Sequence, residues 1–572
     1  MSDCDAIVIG AGPNGLVAAN LLSDAGWSVV VLEANERPGG AVRTEELTLP
    51  GYRHDLFSAF YPLAAASPVI PRLNLEQHGL RWRNAPAALA HPLPDGSCAT
   101  IWRDLDRTAE SLESFAAGDG AEWRRLFDLW RRVGPSLVNA LFTPFPPLRA
   151  GARMLRALGG MNDIAEFLRF SVLPARRVAD ERFRGAGGGL LLAGNALHAD
   201  LTPESAAGGL YGWLLASLGQ HVGWPVPEGG AGELTAALIR RLQGNAGIVR
   251  CGSEVSEIVV SEGRAVGVRT SAGEEVTASH AVLADVGAPA LYLRLLAEHY
   301  VPRQMRETMR QFEYDTSTVK VDWALSAPVP WDAPDAREAG TVHITDSMDE
   351  LSRHANQLAR GLIPDQPFLV FGQHAMTDPT RFPDGAETAW AYTHIPQHIR
   401  GDAGGDLTGD WSERETDELV GRMEARVERL APGFKELILG RHVFTPPSME
   451  RVNANLVGGA INGGTAQIHQ QVIFRPPTSL GRPDTPVKGL FLASASAHPG
   501  GGVHGAPGAN AARAALRSTS KSHVGTLRRL IGFPVPIGGN DEGSQPTGST
   551  LNPRQSASST SSPTRTATGT GS

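Results

Sequence analysis

The chain opens with two short, continuous apolar runs, DAIVIG at residues 5–10 and SVVVLE at residues 28–33. Between them lies GLVAANLLSDAG (residues 15–26), whose apolar positions recur at helical spacing. Runs this short and uniformly apolar predict parallel strands buried on both faces, and the stretch between them completes a βαβ unit. From about residue 106 to 218 the pattern is helical, as in ESLESFAAG, EWRRLFDLWRRV and IAEFLRFSVL, and it is broken at TPFPPL, residues 143–148, where prolines end one helix before the next. After GWPVPEGGAGELTAALIRRL, apolar and polar residues alternate up to the apolar run at 281–286, which predicts hairpin strands returning to the first unit. Further strands are expected at STVKVDWAL (317–325), PFLVFGQ (367–373) and ETAWAYTHI (387–395). An amphipathic helix is expected near 413–430, a last strand at GLFLAS (489–494), and an alanine-rich helix from about Pro507. Past about Pro534 the residues turn to Ser, Thr, Gly and Pro, too polar to bury a core, so 535–572 reads as a disordered tail.

At 572 residues the chain is too long for one simple core and long enough to enclose a large ligand. Its 52 basic and 60 acidic residues leave a formal charge of -8, which argues against nucleic-acid binding. Cys4, Cys98 and Cys251 are scattered, with no C-x-x-C pair and no metal-ligand spacing, so neither a dithiol centre nor a metal site is expected. No apolar run reaches the roughly 18 residues of a spanning helix, and no basic leader precedes the first strand. A cytoplasmic protein is expected, with contact at a membrane surface and the oligomeric state left open.

Gly10, Gly12 and Gly15 form G-x-G-x-x-G directly after a strand and at the start of a helix. In that context the glycines permit a tight turn, close approach of backbone to a pyrophosphate, and close helix–strand packing. The helix N-terminus adds free N–H groups and a partial positive charge. Glu33 ends the second strand, where a carboxylate accepts ribose hydroxyls and disfavours a 2′-phosphate. Arg37, Gly39, Gly40, Arg43 and Thr44 follow as R-x-G-G-x-x-x-T, which resembles the FAD-binding extension of glutathione-reductase-like flavoproteins. That resemblance implies FAD, with an arginine offsetting pyrophosphate charge.

The far end carries GLFLASASAHPGGGVHGAPGANAARAAL, residues 489–516. Together the two ends resemble the phytoene desaturase and carotenoid oxidoreductase family within the amine-oxidase-like flavoproteins, nearest the branch of pyridine nucleotide-disulphide oxidoreductase domain-containing protein 2. The resemblance implies that Gly501 and Gly502, with Gly500, Gly505 and Gly508, keep side chains off a flat flavin ring. It also implies that a helix with Pro507 at its start turns its positive end toward that ring. VPEGGAGEL (226–234) resembles the family's ring-bordering glycine loop; no strand is evident before it. Val255 falls where related flavoproteins meet the adenine, and Ala284 where the chain passes back near the cofactor.

The implied fold is α/β: a Rossmann-like FAD-binding domain of the glutathione-reductase type, interleaved with a mixed-sheet and helical substrate domain. The FAD domain is expected at 1–75, 225–290 and 485–520, a helical substrate lobe at 76–224, and a mixed-sheet substrate domain at 291–484. The implied activity is hydride removal from a lipophilic, isoprenoid-like substrate, with oxygen, a quinone or another carrier as acceptor. An amine oxidase or a flavoprotein of mainly regulatory, protein-binding role is the alternative. No catalytic base is assured: His498 and His504 flank the glycine loop, and Lys320 resembles the flavin-side lysine of the amine-oxidase group, although histidines are commonly structural and strand lysines commonly snorkel. Phe142, Phe145, Trp213 and Trp224 are candidate walls for an apolar substrate or ordinary core. HADLTPE (198–204) is a polar island with the look of a helix cap.

Overall fold

In the computed structural model, residues 3–519 are described; the tail expected to be disordered lies outside them. The strands that organise the fold are, in chain order, β1 (Cys4–Ile9), β2 (Val29–Leu32), β3 (Ala87–Pro92), β4 (Cys98–Trp102), β5 (Ile248–Arg250), β6 (Val255–Ser261) and β7 (Arg264–Thr270). They continue with β8 (Glu275–Ala284), β9 (Ser317–Leu325), β10 (Ala339–Ile344), β11 (Leu369–Gln373), β12 (Glu387–Ile395), β13 (Ile438–Phe444) and β14 (Leu490–Leu492). The helices used below are α1 (Pro13–Asp24), α2 (Asp119–Leu141), α3 (Leu148–Leu158), α4 (Met161–Val172), α5 (Ala186–Leu197), α6 (Gly208–Val222), α7 (Gly232–Gly244), α8 (Glu413–Leu430) and α9 (Ala506–Thr519).

The first sheet runs β6-β7-β8-β1-β2-β5, with β14 also paired to β8. The pairs β8–β1, β1–β2, β2–β5 and β8–β14 are parallel, and the β6-β7-β8 meander is antiparallel. Every residue of β2 is buried and β1 is buried except Asp5, as a parallel sheet covered on both faces requires. Helices α1, α7 and α9 cover one face, contributing Leu16, Val17, Leu234, Leu238, Ala509 and Ala512 to one cluster. α1 and α9 cross so closely that a Cβ on Gly508 would stand 1.9 Å from the Asn14 carbonyl.

The second sheet runs β13-β9-β12-β11-β10-β3-β4. Its period of two sorts side chains cleanly: Val319, Val321, Trp323, Phe371, Ala389 and Ala391 pack with Val420, Met423 and Val427 of α8. Thr318, Lys320, Trp390 and Tyr392 point the other way, into a cavity.

Residues 87–102 depart from the helical reading of 76–224: β3 and β4 form a hairpin that joins the second sheet, β3 running parallel to β10. The alanine-rich AALAHP hides the strand, while Asp95-Gly96, with Gly96 at φ +85°, is the turn signal that marks it. VPEGG itself opens with a two-residue strand, Val226–Pro227, paired with Trp82–Arg83. The break at 143–148 stands between α2 and α3, and α2 runs through Pro135 without ending. Strands at 317–325, 367–373, 387–395 and 489–494 and helices near 413–430 and Pro507 all correspond to observed elements; β10 and β13 were not foreseen.

Candidate active site

A cavity of about 660 Å³ runs from the turn after β1 to the inner face of the second sheet. At the nucleotide end its wall includes Gly10, Gly12, Asn14, Glu33, Gly40, Val255 and Asp285, and further along Lys320, Gly501, Gly502 and His504. The carboxyl ends of parallel strands flanking a strand-order reversal are where doubly wound sheets take ligands.

Side chains are excluded from the turn on steric grounds. A Cβ on Gly15 would lie 2.2 Å from the Gly10 carbonyl, one on Gly12 2.8 Å from Asp285 Oδ2, and one on Gly40 3.2 Å from Gly12 Cα. Gly39 donates to the Ala11 carbonyl at 2.9 Å, so the R-x-G-G segment folds back onto the first glycine loop. α1 starts from Gly12 without a side-chain cap, and the Asn14 Oδ1 is buried without a partner. Glu33 accepts the Ala11 N–H at 2.8 Å and the Asn35 N–H and Nδ2 at 3.0 Å, which fixes its carboxylate on the wall. Uncapped helix N–H groups, a cradle shaped by missing side chains and a fixed carboxylate suit a dinucleotide's pyrophosphate and ribose.

Most of the remaining candidates stand behind the wall. Gly15 supports the turn from below, donating to Asp285 Oδ2 at 2.8 Å. Arg37 is 73% exposed, beside Glu45 at 3.9 Å, and Arg43 pairs with Glu45 at 3.2 Å with its Nε buried and unpartnered; neither lines the cavity. Ala284 lies in the sheet core, and Pro507 sits in the first turn of α9. His498 is behind the glycine loop, its Nε2 3.0 Å from the Thr143 carbonyl. His504 does line the cavity, but its Nδ1 accepts the Ala506 N–H at 3.1 Å and its Nε2 donates to the Gly501 carbonyl at 3.2 Å. The ring stacks on Phe142, and burial, with His498 and Arg475 nearby, keeps it neutral, its pKa pushed down to about 4. Lys320 does not snorkel: it is buried, with Nζ 2.5 Å from both Asp322 oxygens and 3.0 Å from the Asp55 carbonyl. Of the aromatic candidates, Phe142 and Trp224 line the cavity, Trp213 packs in the core against Trp130 and Phe170, and Phe145 is 39% exposed.

Three groups were missed. Asp285, the residue after β8, is the partner of the whole glycine turn. Burial, with Glu33 nearby, raises its pKa to about 7 against the pull of the Gly15 N–H. It carries the same signal as Glu33, an acid directly after an apolar strand. Arg381, fully buried, donates to Asp55 at 2.6 Å and Asp378 at 2.9 Å. Asp55 and Asp378 in turn accept the N–H groups of Ala231 and Gly229 at 2.7 Å, which ties the VPEGGAGEL loop to the segment between β11 and β12. Thr44 completes the tie, donating to Asp55 at 2.7 Å and accepting the Gly232 N–H at 2.9 Å. Arg475, also fully buried, donates to the carbonyls of Ala495, Thr465 and Asn462 at 2.7–3.0 Å and holds the Asn462–Gly463 wall against the His-Pro-Gly loop.

Asp285 gives a pH prediction. Its carboxyl is mainly protonated at pH 6 and ionised at pH 8, and the ionised form adds a negative charge at the pyrophosphate end. FAD affinity is therefore expected to fall with pH above 7, by at most tenfold per pH unit, and Asp285→Asn is expected to flatten the profile. Flavin-fluorescence titration across pH checks this; an unchanged slope in the variant would refute it.

The family described as Flavin containing amine oxidoreductase matches residues 14–516. The chain is 29% identical over 557 residues to pyridine nucleotide-disulfide oxidoreductase domain-containing protein 2 of Mus musculus, covering 90% of this chain and 93% of that protein. It is 26% identical over 553 residues to a neurosporene-forming phytoene desaturase of Cereibacter sphaeroides, covering 89% and 93%. An oxidoreductase from Methanosarcina mazei shares the fold, with a TM-score of 0.59 at 15% identity over 90% of this chain and all of that one. The match runs from α1 through the second sheet to the closing glycine loop, and the chain belongs to the flavin containing amine oxidoreductase family, as an FAD-dependent oxidoreductase.

Proposed function

We propose that the protein dehydrogenates a lipophilic, isoprenoid-like substrate. The observation that carries this reading is the continuity of the cavity: the nucleotide cradle opens onto a wall of Phe60, Leu63, Phe142, Leu214, Trp390 and Tyr392. FAD, when bound, supplies the hydride acceptor, and its chemistry is the cofactor's own. Gly10, Gly12, Asn14 and Gly40 would hold the pyrophosphate, Glu33 the ribose and Val255 the adenine edge, and Gly501 and Gly502 would leave room for the ring. The aromatic wall orients the substrate and excludes water. The acceptor that would reoxidise the flavin is oxygen, a quinone or another carrier.

Lobe residues Leu148 and Met161, 75% and 78% exposed, with Leu168 at 62%, support docking of α3 and α4 on a membrane surface from which a lipophile is taken. Among the described residues no helix is long and apolar enough to cross a membrane. The amine-oxidase alternative is less favoured, because the carboxylates that line the cavity, Glu33, Glu254 and Asp285, stand at its nucleotide end, away from the aromatic wall.

The test is anaerobic addition of isoprenoid and amine panels to the flavin-loaded protein. Bleaching of the oxidised-flavin absorbance by an isoprenoid is the expected result. Bleaching by amines alone would replace this reading with the amine-oxidase one. Flavin that no panel member reduces, with a protein partner recovered, would favour the regulatory alternative.

A further inference from the structure

The substrate half of the cavity is not uniformly apolar. His198, in the residue after α5, lines it, and its Nε2 lies 2.7 Å from His343 Nε2 of β10. One ring must therefore donate to the other. His343 Nδ1 is buried without a partner and packs against α5 so tightly that a Cβ on Gly194 would stand 2.3 Å from it. A hydrogen there would be a buried donor held against α5 with no acceptor, whereas a bare ring nitrogen leaves only an acceptor unpaired and puts the proton where His198 can take it. The His343 proton accordingly sits on Nε2 and is donated to His198, so the neutral His198 ring carries its own proton on Nδ1.

Burial keeps both rings neutral, lowering the His198 pKa to about 3 and that of His343 well below its ordinary value. The edges of Trp224 and Tyr392, at 5.3 and 6.4 Å between centroids, hold the His198 ring in place. The bond to His343 is the one hydrogen bond that ring makes among the described residues, so its Nδ1–H has no protein acceptor. On the adjoining sheet face, the hydroxyls of Thr318 and Thr341 are also unpaired.

Charge narrows what such a wall takes. The carboxylates that line the cavity, Glu33, Glu254 and Asp285, all belong to the nucleotide-binding sheet, so a cationic amine beside His198 would find no counter-ion. Lys320 is occupied by Asp322, so an anionic substrate group finds no free cation on this sheet face either.

We propose that His198 is a specificity-determining donor, whose Nδ1–H binds a neutral carbonyl or hydroxyl oxygen on an otherwise apolar substrate. This rests on the lipophile reading above and narrows it from hydrocarbons to oxygenated lipophiles. A hydrocarbon laid here leaves the His198 donor unpaired, and sites built around a donor reject partners that lack the acceptor.

The test is equilibrium binding to the flavin-loaded protein, read from perturbation of the flavin spectrum. The probes share one carbon skeleton: geranial, geraniol, geranylamine and the parent diene without an end group. Geranial and geraniol are expected to bind about 10–100-fold tighter than the diene and the amine. His198→Phe should level the series without loss of bound flavin, and His198→Asn, which keeps an N–H near the same place, should restore part of the preference. Equal binding of all four by the wild-type protein, or tightest binding of the amine or the diene, would overturn the assignment of His198 while leaving a lipophile site. Binding of none would overturn the lipophile reading and this inference together. The wild-type series decides the matter even if the variants fail to fold.

Discussion

Replacing Arg381 by methionine is expected to cost the fold about 3–5 kcal/mol, because it leaves buried carboxylates without their cation. Arg381, Asp55 and Asp378 are all at 0% side-chain exposure. Asp55 also receives the Ala231 N–H and the Thr44 hydroxyl, and Asp378 the Gly229 N–H, so the damage spreads into the loop beside the cofactor. A shift of the denaturant midpoint, together with weaker retention of flavin, measures it. The triple variant Asp55→Asn, Asp378→Asn, Arg381→Met removes the stranded charges and should recover part of the loss. A single variant that loses less than about 1 kcal/mol, the scale of an exposed pair, would show that the network does not support the fold.

Gly15→Ala is the second large effect. Its new methyl would stand 2.2 Å from the Gly10 carbonyl and 3.1 Å from Asp285 Oδ2. The nearer atom is backbone and cannot swing away, so α1 must shift off the turn. At about 1.5 kcal/mol for each hydrogen bond to a charged group, two lost phosphate contacts weaken FAD by about 100-fold. The purified variant should lack the oxidised-flavin bands that the wild-type protein shows. Gly244→Ala, where a Cβ meets nothing within 4 Å, is the control and should keep its flavin. A Gly15→Ala protein that retains flavin at wild-type affinity would refute the steric account.

The parts of the site visible in the sequence are those made by neighbours along the chain. Gly10, Gly12, Gly15 and Glu33 sit on a single βαβ unit, so spacing alone brings them together. Asp285 carries an equally plain local signal, yet its meaning depends on β8 landing beside β1, with Ala284 opposite Ile9. Arg381 and Asp378 read as ordinary loop polarity, since a one-dimensional pattern does not distinguish a buried charge from a solvated one. STVKVDWAL displays its two faces, Val319, Val321 and Trp323 against Thr318 and Lys320, but not that the polar one adjoins a cavity. His198 stood out only as the start of the polar island HADLTPE, whose cap look lay at Thr202; its role depends on His343, brought to it by the second sheet. Arg37 looked like a phosphate partner by position, and the fold gives that arginine to solvent.

The close crossing of α1 and α9, and the pairing of β8 with β14, have a consequence for biosynthesis. The first helix made waits for α9, the last among the described residues, before its apolar face is fully covered. At translation rates of about 5–20 residues per second, that interval is tens of seconds. Throughout it the nascent N-terminal unit offers an incomplete parallel sheet to chaperones and to other chains. Truncation anywhere before Leu490 removes both β14 and α9, so prematurely terminated chains should be cleared by proteases rather than persist as partially active enzyme.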